Sequence, residues 1–96
     1  MSEGQITEAD VHKAARRAEL GQAILDNPIF KEAINYLKIQ CFESFASVKT
    51  SDTDSLVHIR LTMSVVMSLE NYFQQTLVDA DAAAEAFKAI INDKVI

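Results

Sequence analysis

The chain has 96 residues, 49% of them apolar, which suits one domain near the lower size limit for burying a core. Two glycines (Gly4, Gly21) and one proline (Pro28) are too few for the many turns of an all-β fold, so the composition predicts an all-α domain over residues 1–96. The net charge is −5, with six Lys/Arg against seven Asp/Glu in residues 1–49 and three against seven in 50–96. A balance this acidic argues against general nucleic-acid binding, which draws most of its affinity from phosphate neutralisation.

Residues 1–6 read as a flexible terminus, and residues 1–17 contain no apolar core like that of a signal peptide. Thr7 is a suitable N-cap, with Glu8 and Asp10 where a helix dipole favours acids. The first helix is predicted to run to about Leu25. Val11, Ala14, Ala15, Ala18 and Leu25 share one stripe with Gly21 at its edge, a set of small residues that lets a neighbouring backbone come close.

Asn27-Pro28 marks a boundary, because Pro28 disfavours helix at Asn27 while suiting the first helical position itself. A second helix is expected over about 28–47. Phe30, Ala33, Ile34, Leu37, Cys41, Phe45 and Val48 form its core stripe, with Ile39, Phe42 and Ala46 almost opposite. Ser47 to Ser55 is the main loop. A cap at Asp52, Thr53 or Asp54 opens a third helix over about 53–77, and apolar residues cover well over half of its circumference. Residues 79–94 repeat an apolar stripe (Ala83, Ala86, Phe87, Ile90, Ile91). They read as a separate C-terminal helix capped at Asp79 or Asp81, or as a kinked continuation.

The expected architecture is thus an antiparallel helical hairpin flanked by an N-terminal and a C-terminal helix. One hairpin and one small-residue helix leave apolar surface over, and a patch of that size marks an interface. A homo-oligomer is expected, with Ile39, Phe42, Met63, Val66, Met67 and Phe73 between subunits. The alternative is that the first and fourth helices cover these faces within a monomer.

No catalytic constellation emerges. His12 and His58 lie on different helices without metal-ligand spacing, and Cys41 falls on a core stripe with no histidine placed near it. One cysteine excludes an internal disulfide and suits a reducing compartment. Asp52/Asp54 and Asp79/Asp81 fail the calcium-loop pattern, which needs glycine at its sixth position and glutamate at its twelfth. No phosphate loop is present, and no apolar run approaches the roughly 20 residues of a membrane span. The expectation is a non-enzyme with no cofactor, no metal and no membrane association. Lys13, Arg16 and Arg17, with His12, form a basic face on the first helix, and Arg60 stands on the polar strip of the third. Each can take an anion or an acidic partner, or simply meet solvent.

Leu25, Asn27, Pro28 and Phe30, then Phe42 and Phe45, then Thr50, Asp52 and Asp54, then Arg60 and Leu61 form a pattern that resembles a group of small helical proteins of tailed bacteriophages. It spans residues 16–73, with Phe where that group carries a Trp in its aromatic helix. The resemblance implies a phage setting near virion morphogenesis, in the host cytoplasm or associated with the virion, and it carries no site with it. Two functions are therefore expected. One is a self-associating protein of virion assembly or DNA packaging that contacts another phage or host protein. The other is a small acidic inhibitor or sequestering module that binds a host or defence factor or a nucleotide ligand.

Overall fold

The computed structural model describes residues 5–95 of the chain, with side chains to Asp93. Met1 to Gly4, most of the terminus predicted to be flexible, lie outside the described residues. Those residues form three helices and no strand: α1 (Glu8–Asp26), α2 (Pro28–Ser47) and α3 (Thr53–Val95).

Local chemistry sets each helix start. Thr7 and Asp10 cap α1 reciprocally: the Thr7 N–H donates to Asp10 Oδ2 at 3.0 Å, and the Asp10 N–H donates to Thr7 Oγ1 at 3.2 Å. Asn27, the single residue between α1 and α2, accepts from the N–H groups of Ile29 and Phe30 at 2.9 and 3.1 Å, with Pro28 beside it in the first turn. Asp52 opens α3 by accepting from the Ser55 N–H through Oδ1 and from the Ser55 hydroxyl through Oδ2.

The separate C-terminal helix expected from residue 79 does not exist. α3 runs unbroken for 43 residues, about 65 Å at 1.5 Å per residue. Neither Gly nor Pro interrupts the chain after Pro28, and Ala82 to Ala84 are the strongest helix formers at the point where a break was expected. Asp79 caps nothing; its carboxylate accepts from Gln75 Nε2 at 2.9 Å, one turn back within the helix.

The contacts divide into two compact units. Unit 1 joins residues 1–24 to 73–96, and unit 2 is residues 25–72. In unit 1, α1 packs on the second half of α3. Val11, Ala14 and Ala18 are half-buried and Gly21 is buried, at steps of three and four residues. Phe73, Leu77, Ala80, Ala83, Phe87 and Ile90 form the half-buried stripe of α3, with Thr76 buried among them. Small residues on one helix thus face a mixture of large and small ones on the other. The closest approach is at Gly21, where a Cβ would collide with Thr76 Oγ1 and stand 3.1 Å from the Phe73 carbonyl oxygen.

In unit 2 the inward positions of α3 are Leu56, Ile59, Met63, Val66 and Glu70. Their alternating steps of three and four are the a/d spacing of coiled-coil packing. α2 contributes Phe30, Ile34, Lys38 and Cys41 to this seam, of which Ile34 and Cys41 are buried. Lys38 Nζ reaches Glu70 Oε1 at 2.7 Å, so the one acid on this stretch of the α3 seam is paired. The core of the unit is thin. Its buried apolar residues are Ile34, Cys41 and Val66, while Phe45, expected on the core stripe, is 61% exposed.

Candidate interaction surface

Beside that seam, unit 2 carries an apolar groove of about 560 Å³. Cys41, Phe42 and Phe45 of α2 form one wall, and Leu56, Ile59, Met63 and Met67 of α3 form the other. Arg60 and Ser64 are its only polar lining residues. Phe42 is 70% exposed, so a large aromatic ring stands at the edge with little of its own chain against it. Arg60 is also exposed and makes no hydrogen bond or ion pair among the described residues. A smaller hollow of about 170 Å³ is lined by Leu25, Phe30 and Ile34 together with Lys38 and Glu70, which pair with each other.

A second apolar surface lies elsewhere on α3. Val57, Leu61, Val65 and Tyr72 are all exposed. At about 100° per residue they fall within about 80° of one another, on the side of the helix away from Ile59 and Val66.

Of the residues expected at a subunit interface, the groove brings together Phe42, Met63 and Met67. Ile39 is exposed on α2 outside the groove lining. Val66 is 5% exposed within its own chain, among the buried apolar residues of unit 2. Phe73 belongs to unit 1 and is half-buried on the stripe of α3 that serves α1. Both were singled out because α3 is apolar on so many sides that its wheel cannot say which apolar line meets its own chain. The same ambiguity hid Leu56, Leu61 and Val65, while Phe45 of α2 was expected on the core stripe of its own helix. The four-residue spacing of Val57, Leu61 and Val65 was the available signal for the exposed line.

Two residues of the basic face of α1 meet acids along the same helix. His12 Nε2 lies 3.5 Å from Glu8 Oε1 and Arg16 Nη1 lies 3.1 Å from Glu19 Oε2. Asp10 is held below the ordinary carboxylate range by hydrogen bonds from the Thr7 backbone and hydroxyl, with a lesser pull from the Lys13 charge. Lys13, Arg16 and Arg17 lie in unit 1 and Arg60 in unit 2, so they do not share one compact unit. Cys41 is a free, buried thiol. Among the described residues no group of three or more His, Cys, Asp or Glu could hold a metal ion, and no helix is long and apolar enough to cross a membrane.

No protein-family model, curated protein or solved structure matches the chain.

Proposed function

We propose that this is a non-enzymatic protein that acts by associating with copies of itself, as a structural component in the assembly or DNA packaging of a tailed bacteriophage. The observation that carries self-association is the surface left over by folding. In unit 2 the large apolar side chains Phe42, Phe45, Leu61 and Val65 are each more than 60% exposed. Surface of that kind is normally covered in a soluble protein.

In this reading α2 and the first half of α3 form an antiparallel hairpin. Its supports are the Lys38–Glu70 pair at one end, and the hollow that Ser44 and Val48 share with Asp54 and His58 at the other. The phage setting rests on the resemblance over residues 16–73. Absolute mass by light scattering behind size exclusion tests the association, on wild type and on Phe42→Glu. A defined oligomer that falls apart in the variant is expected. A wild-type protein that stays at the 10.7 kDa of one chain at every concentration overturns the proposal.

A further inference from the structure

The groove and the exposed line of α3 are both apolar, both in unit 2, and complementary in form: one is a trough between two helices and the other a ridge along one helix. Ridges of side chains spaced four residues apart are what helical grooves accept. The charge at the groove narrows the choice of occupant. Arg60 lies in the lining without a counter-charge, and no acid is among the residues that form the groove. Two grooves laid face to face about a two-fold axis would bury two unpaired guanidinium groups, a heavy desolvation penalty. A purely apolar occupant would leave the same penalty. The occupant must bring an acid along with its apolar side chains.

The ridge does so. Asp54 lies in line with Val57, Leu61 and Val65 at the N-terminal end, where it borders the hollow shared with Ser44 and Val48; it is exposed and has no ion pair or hydrogen bond among the described residues. The spans also agree. Arg60 and Met67 in the groove, like Asp54 and Leu61 on the ridge, are seven positions apart, about 10 Å of helix.

We propose that the α2–α3 groove of one copy receives the α3 ridge of a second copy. The incoming helix runs in the same direction as the α3 it lies against, its Asp54 pairs with Arg60, and its Leu61, seven positions further on, fills the space beside Phe42 and Met67. This deepens the self-association reading and rests on it. The contact joins two different surfaces, so it is head-to-tail: a joined pair keeps one groove on one copy and one ridge on the other unused, and addition continues until a ring closes or a filament grows.

Complementary variants test this directly. Phe42→Glu spoils the groove and leaves the ridge intact; Leu61→Glu spoils the ridge and leaves the groove intact. Both positions are more than 60% exposed, so neither change disturbs the core, and an unaltered helical circular dichroism spectrum verifies the fold. Each variant alone is expected to run at the mass of one chain, 10.7 kDa, and an equimolar mixture at twice that mass and no more, because it has a single usable joint. Adding Arg60→Glu to the Leu61→Glu chain should weaken the mixed complex at least tenfold, and Asp54→Arg in the Phe42→Glu chain should restore it. If the wild type associates but the mixture stays at the mass of one chain, the head-to-tail joint is wrong while self-association stands. Either variant keeping the wild-type mass removes its surface from the joint, and an unchanged complex on charge reversal removes the Arg60–Asp54 pairing. A monomeric wild type removes the association itself.

Discussion

Gly21 of α1 and Thr76 of α3 lie so close that no Cβ fits between them. The Thr76 hydroxyl is turned into its own helix, donating to the Phe73 carbonyl oxygen at 2.6 Å, and that same carbonyl lies on the path of any side chain at position 21. The contact is therefore backbone against backbone with one short side chain between. The small residues of the α1 stripe make such an approach possible.

Gly21→Ala opposes two effects. Alanine gains about 1 kcal/mol of helix propensity over glycine, while forced overpacking costs about 1–3 kcal/mol. The obstructing Oγ1 sits on a β-branched side chain already committed to a hydrogen bond, so it cannot swing away cheaply. Net destabilisation is expected by urea unfolding. In the double variant with Thr76→Ala the nearest Thr76 atom left is Cβ, at 3.4 Å, an ordinary contact. The two substitutions together should cost less than the sum of the singles.

Asn27→Ala removes the acceptor that serves two N–H groups at the only residue between α1 and α2. A loss of about 1 kcal/mol is expected. Asn27→Asp should retain most of the stability because its carboxylate accepts the same bonds. A urea titration of the three proteins is enough to separate these outcomes.

Protonation of Asp52 should loosen the start of α3. Hydrogen bonds from the Ser55 hydroxyl and then the Ser55 N–H hold this carboxyl below its ordinary value near 3.8. A carboxyl whose folded value is depressed stabilises the fold at pH above its unfolded value, and the contribution is lost as pH falls through the folded one. Thermal unfolding between pH 7 and pH 2 should show wild type losing stability below about pH 4. Asp52→Asn should flatten part of that decline, after correction for the other carboxylates by comparison with wild type.

The Lys38–Glu70 pair joins α2 to an otherwise apolar seam, with its side chains 42% and 26% exposed. Partial exposure screens it, so a double-mutant cycle with Lys38→Met and Glu70→Gln should give a coupling of no more than about 1 kcal/mol, falling as salt is raised. Glu70→Leu, which lets the a/d spacing run on in apolar residues, should come out close to neutral in stability once Lys38 is Met.

Where the structure followed the sequence, the cause was local. Thr7, Asn27-Pro28 and Asp52 fix helix starts through bonds that span two or three residues, and those patterns can be read without knowing what lies across the fold. The small-residue stripe of α1 was equally legible, and the structure sets a close helix contact on it at Gly21. The sequence left open whether the third helix ends near residue 77 or continues, because Asp79 and Asp81 have the chemistry of caps, and only the uninterrupted helical context makes Asp79 a mid-helix partner of Gln75. The interface residues were the hardest. Val66 and Val65 are neighbours of identical chemistry, yet one is 5% exposed and the other 69%. Which of the two turns inward is decided by where Ile34 and Cys41 sit on α2, and that is tertiary information.

The division of the chain has a consequence for the order in which it folds. Unit 2 is one uninterrupted segment, and its partners are near in sequence, from Ser44 beside Ser55 to Lys38 with Glu70. Unit 1 is assembled from the two ends: Gly21 waits for Thr76, more than fifty residues later. Low contact order favours rapid formation, and closing a long loop is slower. During synthesis the middle segment can zip up from the turn at Thr50-Ser51 while α1 still has nothing to pack against. A stalled chain ending near Tyr72 would present the groove complete and the alanine face of α1 bare.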